Sequence, residues 1–278
     1  MPELPEVETT ARGLRARLIG RCVLGASGVD WPRMAPNATP ELLESAVSGR
    51  LVERVERRGK YLLLGLANDV WVVVHRKMSG NLVARAAELS PPRHTHLSLA
   101  LDDGTCLDYV DPRKFGRVYL FLGRDALDAF LAARLGPEPL EIDAAGLDRL
   151  LLTRRGRLKS LLLDQSFLAG IGNIYADEIL WEARLHPERS AATLTPRERS
   201  RLLDATRMVL TAAIERRGTS FSQYVDDAGL PGDNQHHLSV YGRTGLPCPR
   251  EGCGRPIERR MLAQRGTWFC PRCQHPPR

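Results

Sequence analysis

Four cysteines near the end of the chain have the spacing of a zinc site. Two short pairs, one enclosing four residues and the other two, are separated by sixteen residues: Cys248, Cys253, Cys270 and Cys273. Zinc binds four thiolates tetrahedrally, and cysteine pairs on facing hairpin turns supply that geometry. Four protein ligands leave no open position, so the spacing predicts one structural Zn²⁺ and not a catalytic one. The alternatives are free thiols or two disulfides.

The segment between the two cysteine pairs, RPIERRMLAQRGTWF, predicts a strand, a turn and a second strand. A tail of about 30 residues buries little core, so a metal is a sensible staple for it. Five arginines crowd this hairpin: Arg250, Arg255, Arg259, Arg260 and Arg265. A small basic hairpin suits a groove of DNA, and the alternative is a solvated charged face.

The other end of the chain, MPELPEVETT, is rigid and acidic, with two prolines and three glutamates among its first eight residues. Val7, Ala11, Leu14 and Leu18 recur at helical spacing, so a helix is predicted here, with Pro5 in its first turn. Negative charge complements the start of a helix dipole. This explains the later glutamates but gives no reason for a proline in second position.

A glycine-rich turn, SFLAGIGNIYADEIL, places Gly170 and Gly172 between two predicted helices, with Asn173 at a natural N-cap position. The N-terminus of a helix exposes backbone N–H groups and the positive end of the dipole, which suits phosphate. A tight turn between two packed helices is the equal alternative. The basic hairpin gives weight to the hypothesis of a DNA-backbone clamp.

Composition narrows the class of protein. The net charge is +7 and the pI about 9.3, a moderate attraction toward polyanions such as nucleic acid. No apolar run approaches the roughly 18–20 residues needed to span a bilayer. The first thirty residues contain no basic region followed by an apolar block, so no signal peptide is expected. We therefore expect a cytoplasmic protein with no membrane partner.

The hydrophobic period changes along the chain. From about residue 21 to residue 122 it is that of strands, with the hairpins YLLLGL-AND-VWVVVH and HLSLAL-DDG-TCLDYV. Short strands separated by turn residues predict a β-sandwich. Beyond RLGPEPLEIDAAG the period becomes helical, and residues 218–246 predict a long functional loop. The predicted fold class is therefore α+β: an N-terminal helix plus a β-sandwich domain, then a C-terminal helical domain and a zinc hairpin.

The motifs MPELPEVET, RRGKYLL, MSG, DPRKFGR, LLDQ…AGIGNIYADEIL, VYGRTG and RGTWFCPRCQ occur in this order along the whole chain. Together they closely resemble the bacterial formamidopyrimidine-DNA glycosylase family, 8-oxoguanine base-excision enzymes with lyase activity. The endonuclease VIII branch shares the layout, but PELPEVE with Leu4 resembles the formamidopyrimidine branch. The resemblance implies a monomer that acts on damaged double-stranded DNA in the bacterial cytoplasm, in association with the nucleoid.

The resemblance also implies a domain order. A catalytic β-sandwich domain would span residues 1–134 and a linker residues 135–143. A helix-two-turn-helix domain with the lesion-recognition loop would span residues 144–246, and a zinc finger residues 247–278. DNA would lie between the domains.

Residue roles follow from the matching motifs. Removal of Met1 should expose Pro2, whose secondary amine is the nucleophile, with Glu3 as the catalytic acid. Lys60, also counted as catalytic, resembles a lysine that contacts phosphate near the lesion. Met78, Arg113 and Phe115 resemble the trio that fills the void left by a flipped nucleotide. The remaining implied residues contact DNA or the damaged base: Arg265 (also counted as catalytic), Asn173, Lys159, His94, Arg155, Ser220 and Tyr241.

The residue types fit this chemistry. The pKa of lysine is near 10.4, whereas an α-amino group starts at about 7.7–8.0 and is the easier nucleophile near neutral pH. A secondary amine that attacks the sugar C1′ gives an iminium ion, which drives β- and then δ-elimination of the two phosphates. Glu3 can protonate the ring oxygen if burial or a neighbour keeps it protonated, and Glu6 could orient the amine.

An enzyme that works on a duplex base must extrude that base. Met78 or Phe115 can fill the gap while Arg113 hydrogen-bonds the orphaned partner base. Taken alone, Phe115 fits a strand core and Met78 a loop contact equally well.

Two departures from the family pattern stand out. The first cysteine pair encloses four residues, CPREGC, where the family usually has two, which should lengthen the first zinc knuckle. HRKMSG carries Arg76 and Lys77 where the family often has Leu-Gly, which could add a phosphate contact. Three functions remain open: an oxidised-purine glycosylase and lyase, an oxidised-pyrimidine glycosylase of the endonuclease VIII type, and a non-catalytic lesion-binding protein.

Overall fold

The structure is a computed structural model that describes residues 1–31, 33–221 and 224–275. The chain forms two compact units, residues 1–133 with 216–235, and residues 134–215 with 236–278. In the described ranges no helix combines the length and the apolar character that crossing a bilayer requires.

The first unit opens with helix α1, Leu4–Leu18, as the sequence predicted. Glu3 is the N-cap, and the Glu3 and Glu6 side chains form a reciprocal capping box with the backbone of the first turn. The apolar face of α1 is buried and packs on strand β2, Arg50–Arg58. The helix ends before Gly20, whose φ of +84° is the left-handed conformation that favours glycine.

The predicted β-sandwich follows α1. Its strands pair antiparallel in the order β5-β7-β6-β1-β2-β3-β4-β8, and the two halves meet at the short β1–β2 pairing. Besides β2, the strands are β1 Cys22–Gly28, β3 Tyr61–Leu66, β4 Val70–His75, β5 Asn81–Ala86, β6 Thr95–Leu101, β7 Thr105–Val110 and β8 Arg117–Leu122. The two predicted hairpins are β3–β4 and β6–β7. Both faces of β3 and β4 are buried, so these strands form the centre of the unit.

Two short helices of the first unit were not predicted, α2 Pro40–Val47 and α3 Arg124–Ala132. The segment 216–235 also packs in this unit. The Ala84 N–H donates to the Asp227 carbonyl (3.1 Å), and Arg17 on α1 forms an ion pair with the Asp227 carboxylate (2.7 Å). The compact units therefore do not follow the predicted boundaries at this segment, which the sequence grouped with residues 144–246.

The second unit is helical, as the period predicted. It contains α4 Ala144–Thr153, α5 Leu158–Leu163, α6 Asn173–Glu182 and α7 Pro196–Glu215. Thr195 and Glu198 cap the start of α7 reciprocally, because the Thr195 hydroxyl accepts from the Glu198 N–H and the Glu198 carboxylate from the Thr195 N–H. The predicted hairpin is β9 Glu258–Leu262 and β10 Arg265–Phe269.

Candidate functional site

The first residues after Met1 are buried and hydrogen-bonded. Pro2 is buried, and Glu3 is only 3% exposed. The Glu3 N–H donates to Glu6 Oε2 (2.7 Å), while Glu6 Oε1 accepts from the Thr219 N–H (2.7 Å). A Cβ added at Gly218 would lie 2.9 Å from the Glu6 side chain. The Glu6 carboxylate therefore ties the N-terminus to residues 218–219 through backbone amides.

Lys60 lies in the two-residue turn that joins β2 to β3, next to Gly59, whose φ is +55°. Its side chain is 5% exposed. Burial, reinforced by the charges of Lys77 and Lys60, lowers the pKa of His75 to about 3. His75 is therefore neutral near pH 7, and its ring packs edge-on against Tyr61 (4.6 Å between centroids).

The three predicted void-filling residues lie on two loops of the first unit. Met78 is 46% exposed between β4 and β5, and Phe115 is 44% exposed between β7 and β8. The Arg113 guanidinium lies 4.6 Å from the Phe115 ring centroid. His94 is also exposed, and its carbonyl accepts from the Asp111 N–H (3.0 Å), directly before the second of these loops. An apolar wedge and a cation stacked on it are thus presented to solvent.

For Arg76, the hypothesis of an added phosphate contact is wrong. Its guanidinium is fully buried and donates to the Gly80 carbonyl (2.7 Å), the Thr10 hydroxyl (2.7 Å), the Val225 carbonyl (3.2 Å) and Asn81. Arg76 joins α1, the Met78 loop and the segment 216–235 from inside the unit. Lys77 is half-buried.

In the second unit, Asn173 connects α6 to the hairpin. Gly172 is the N-cap and Asn173 the first helical residue, so the predicted cap position was wrong by one residue. Asn173 Nδ2 donates to the Gly266 carbonyl (3.0 Å). Its Oδ1 is buried and has no hydrogen-bond partner among the described residues. The Asn173 side chain thus fixes the N-terminus of α6 against β10.

Lys159 does not contact solvent, which corrects the expectation that it contacts DNA phosphate or the damaged base. Its Nζ donates to Asp177 Oδ1 (2.8 Å) and to the Asn173 carbonyl (2.9 Å), and both charged side chains are fully buried. Asp177 Oδ2 accepts from the Trp268 N–H (3.1 Å). Burial raises the pKa of Asp177 to about 7 against the opposing charge of Lys159. Lys159 therefore holds Asn173 directly, and it holds the hairpin through Asp177.

The two predicted lesion-loop residues belong to different compact units. In the first unit the Ser220 hydroxyl donates to the Tyr224 carbonyl (2.9 Å) and accepts from the Gly232 N–H (2.9 Å). In the second unit the Tyr241 ring lies 4.5 Å from that of Trp268. Residues 222–223 of the predicted loop lie outside the described ranges.

Two predicted DNA contacts of the second unit are exposed. Arg155 lies in the connection between α4 and α5. Arg265 opens β10 after the turn Ala263–Gln264, where φ is +48° and +59°, the left-handed values of a tight two-residue hairpin turn. Arg265 is thus presented at the tip of the hairpin.

The four cysteines fit a zinc ion. Their sulfur atoms all lie within 4.8 Å of one another, and three Sγ–Sγ distances are 3.4, 3.6 and 3.9 Å. Tetrahedral ligation at a Zn–S distance of about 2.3 Å requires about 3.8 Å between sulfurs. The backbone N–H of Arg255 lowers the pKa of Cys253 to about 7, whereas burial raises that of Cys273 to about 12. Four thiolates this close together repel one another unless a cation lies between them. A bound zinc ion would neutralise that charge and hold the two cysteine pairs together.

The longer first knuckle is docked on α6. Arg250, which lies between the first two cysteines, donates to the Trp181 carbonyl (2.8 Å), and its guanidinium lies 4.4 Å from the Trp181 ring centroid. Trp181 Nε1 in turn donates to Cys248 Sγ (3.4 Å). The four-residue spacing is thus accommodated without separating the four thiols.

Three family models match the chain in order. They are the formamidopyrimidine-DNA glycosylase N-terminal domain over residues 1–118, the H2TH domain of the same enzymes over residues 135–225, and the zinc finger found in FPG and IleRS over residues 245–276. Formamidopyrimidine-DNA glycosylases from Herpetosiphon aurantiacus and Chloroflexus aurantiacus are each 47% identical over 99% of this chain, and the match covers 100% and 98% of those proteins.

Solved structures of Fpg proteins also match this chain over nearly its full length. The MutM (Fpg) protein of Thermus thermophilus superposes with a TM-score of 0.86 at 45% identity, over 98% of each chain. A Lactococcus lactis Fpg variant in complex with Fapy-dG-containing DNA gives 0.91 at 35% identity, over 99% of this chain and 100% of that one. The near-complete coverage and these identities place the chain in the formamidopyrimidine-DNA glycosylase family.

Proposed function

We propose that this protein is a base-excision repair enzyme that removes oxidised purines, 8-oxoguanine and formamidopyrimidines, from duplex DNA and then cleaves the abasic strand. The full-length match to the family carries this proposal. Solved relatives were captured with DNA containing Fapy-dG, carbocyclic 8-oxoguanine or an abasic site. The protein works as a monomer on damaged double-stranded DNA, in the bacterial cytoplasm on the nucleoid.

The reaction begins at Pro2 after Met1 has been removed. The secondary amine forms a bond to the sugar C1′, the damaged base leaves with the bonding electron pair, and an iminium (Schiff base) intermediate results. Glu3 lies next to this amine in sequence and is almost fully buried. It is the acid that protonates the ring oxygen as the sugar opens. The iminium then accepts electrons as the 3′ and 5′ phosphates leave by β- and δ-elimination.

The other predicted residues bind and orient DNA. Lys60 contacts a phosphate close to the lesion, and Arg265 and Asn173 hold the backbone from the second unit. His94 and Arg155 add contacts to flanking DNA, and Ser220 and Tyr241 to the damaged nucleotide. The wedge formed by Met78, Arg113 and Phe115 occupies the void left by the extruded nucleotide.

The domains divide this work. The catalytic part lies within residues 1–134, and the linker 135–143 leads to DNA-binding parts within residues 144–246 and 247–278. The zinc ion supplies no chemistry to the reaction. It holds the four cysteines and thereby the hairpin that presents Arg265.

Borohydride trapping combined with intact mass tests the proposal. Protein that begins at Pro2 should form a covalent adduct with an 8-oxoguanine:C duplex when borohydride reduces the iminium ion. A preparation that retains Met1 should form none, because the amine of Pro2 is then an amide. Pro2→Gly, which keeps an N-terminal amine, should retain part of the trapping.

The outcomes separate the competing functions. A covalent adduct formed equally well with Met1 in place would refute Pro2 as the nucleophile. Specific binding without any adduct would identify a non-catalytic lesion-binding protein. A clear preference for a thymine glycol duplex over 8-oxoguanine:C would assign the chemistry to oxidised pyrimidines.

A further inference from the structure

Two buried residues, Tyr109 and Asp111, lie between the loops that carry the exposed wedge. We call residues 76–80, which include Met78, the first wedge loop, and residues 112–116, which include Phe115, the second. Tyr109 and Asp111 are fully buried. None of the proposed chemical steps uses their phenol or carboxylate, so their burial needs another explanation.

The Asp111 carboxylate binds both wedge loops at once. Its Oδ1 accepts from the Ser79 hydroxyl of the first loop and from the Arg113 N–H of the second (3.3 Å). Its Oδ2 accepts from the Gly116 N–H of the second loop (2.8 Å) and from the Tyr109 hydroxyl (3.1 Å). One carboxylate therefore receives four donors, and it joins two loops that are separated in sequence by three strands.

Both loops also close onto the Tyr109 phenol. A Cβ added at Gly80 would lie 2.5 Å from Tyr109 Oη, and one added at Gly116 would lie 1.5 Å from it. Each loop therefore has a glycine where the phenol leaves no room for a side chain. Burial and the neighbouring Asp111 charge raise the pKa of Tyr109. The phenol therefore stays protonated and donates a hydrogen bond to the Asp111 carboxylate.

The residue before each wedge has an unusual backbone. Lys77 precedes Met78 with φ +52°, and Lys114 precedes Phe115 with φ +55°. The left-handed conformation costs a residue with a side chain roughly 1–2 kcal/mol, and it persists where surrounding contacts impose it. The direction of both wedges therefore depends on contacts that hold the loops on either side. Arg76 holds the first loop at the Gly80 carbonyl, and the contacts common to both loops are those with Asp111 and Tyr109.

We propose that Asp111, together with Tyr109, is a positioning residue that holds the two wedge loops in one fixed relation, so that Met78 and Phe115 enter DNA as a unit. The inference rests on the proposed function, because it takes both side chains to be void-filling wedges. It assigns base extrusion, and not the amine chemistry at Pro2, to this carboxylate.

Asp111→Asn is the decisive variant. The amide keeps the shape of the side chain but turns an NH₂ group toward two donors that need an acceptor. Cleavage of an 8-oxoguanine:C duplex should fall by about 100-fold, the order expected when a positioning contact shifts by about an ångström. Fluorescence of a 2-aminopurine placed beside the lesion, which rises when the neighbouring base is extruded, should lose its rise. Borohydride trapping on single-stranded abasic DNA, which requires no extrusion, should be unchanged.

Asp108→Asn is the matched control. Asp108 is fully buried on β7, the strand that ends directly before Asp111. Its carboxylate accepts from Ser98 and Arg85, neither of which belongs to a wedge loop. This variant should lose thermal stability but keep the 2-aminopurine signal. Ser79→Ala removes only the link to the first loop and should give a smaller loss of duplex cleavage. The double variant Ser79→Ala/Asp111→Asn should be no worse than Asp111→Asn, since both changes break the same bond.

Two results would overturn the inference. One is full duplex cleavage by Asp111→Asn. The other is a parallel loss of duplex cleavage in the Asp111 and Asp108 variants that follows their loss of stability. If Asp111→Asn does not fold, Ser79→Ala decides alone, because normal extrusion in that variant also contradicts the proposal. Failure of the wild-type protein to be trapped on any abasic DNA would instead refute the proposed function, and this inference with it.

Discussion

The two compact units support their exposed functional residues in different ways. In the first unit the wedge loops and the N-terminus lie on a large apolar core contributed by α1, α2 and the strands of the sandwich. In the second unit the hairpin that presents Arg265 lies beside a small cluster with four buried members: Val240, Cys248, Ile257 and Cys270. Two of these four are predicted metal ligands. The hairpin therefore depends on zinc and on polar contacts where the first unit depends on apolar burial.

Both units do share one device, a buried carboxylate that accepts backbone amides. Glu6 holds the N–H groups of Glu3 and Thr219 in the first unit. Glu178 holds those of Ser239, Val240 and Tyr241 in the second. Hydrogen bonds to a buried carboxylate thus fix backbone segments in both units. The units differ in what supports these segments, which is an apolar core in the first unit and the predicted zinc site in the second. That difference predicts which perturbations will affect one unit alone.

Loss of zinc should have the largest effect and should be confined to the second unit. Cys270→Ser, or removal of the metal with a chelator, should lower the zinc content from about one ion per chain to near zero and unfold the hairpin. Binding to a lesion duplex at physiological salt should then be lost, because Arg265 and the contact from Gly266 to Asn173 are no longer held. Metal analysis and fluorescence anisotropy measure the two effects.

Cys106→Ser is the matched control for the zinc prediction. Cys106 is a buried thiol on β7 of the first unit and is not among the four clustered cysteines. Its variant should keep both the metal and the DNA affinity. In the Cys270 variant, hydrogen exchange of the central strands β3 and β4 should remain slow. Equal loss of protection in both units would show that the apolar core does not stand without the zinc hairpin.

A change at the buried ion pair of the second unit should have the next largest effect. Lys159→Met leaves the Asp177 carboxylate buried without its partner, which typically costs about 3–5 kcal/mol of unfolding free energy. The pKa of Asp177 is already raised to about 7, so the carboxyl can take up a proton at lower pH. The destabilisation should therefore be larger at pH 8.5 than at pH 6. Urea unfolding at both pH values measures it.

Arg157→Met provides the comparison for the ion pair. Arg157 pairs with Glu188 at 3.0 Å in the same unit, but its side chain is 61% exposed. An exposed pair contributes about 0–1 kcal/mol, so this variant should unfold almost as the wild type does. Lys159→Met/Asp177→Leu should recover much of the lost stability. A Lys159 variant as stable as the Arg157 variant would show that the buried pair does not support the hairpin.

The elements that carry the site could be predicted where the signal is local. Helix α1, the two central hairpins and the zinc hairpin follow from hydrophobic period, turn residues and cysteine spacing. Helices α2 and α3 were missed because they are only eight and nine residues long; α2 interrupts a run of strands, and α3 directly follows the last strand of that run. Asn173 was predicted as the N-cap of α6, but the N-cap is Gly172. The prediction was wrong because glycine and asparagine are both suitable N-caps.

Side-chain direction could not be predicted, because the partners are distant in sequence. Lys159 has the composition of a phosphate contact, yet its partner Asp177 lies eighteen residues further on. Arg76 is held by a carbonyl that is 149 residues away. In the motif DPRKFG, Arg113 and Phe115 were predicted to fill the void in DNA, whereas no role was predicted for Asp111. The fold, and not the motif, shows that the aspartate binds both wedge loops.

The last effect vanishes at neutral pH and tests burial in the first unit, through His75. Its folded pKa is about 3, against an ordinary value of 6.5, mainly because the ring is buried. Between these values the unfolded chain binds a proton that the folded chain does not. The contribution of His75 to the unfolding free energy should therefore be fully retained above pH 6.5 and should fall by about 1.4 kcal/mol per pH unit as the pH drops toward 3.

His75→Gln should remove this contribution to the pH dependence, because glutamine does not titrate. Both proteins are unfolded with urea between pH 4 and pH 7. As the pH falls, the wild type should lose about 1.4 kcal/mol of unfolding free energy per pH unit relative to the variant, whatever the variant's absolute stability. His236→Gln, at an exposed position, serves as the control. Identical slopes for wild type and His75→Gln would mean that the ring is solvated in the folded protein. The apolar core would then not extend to the strand end beside Lys60, and the contrast between the two units would be weaker there.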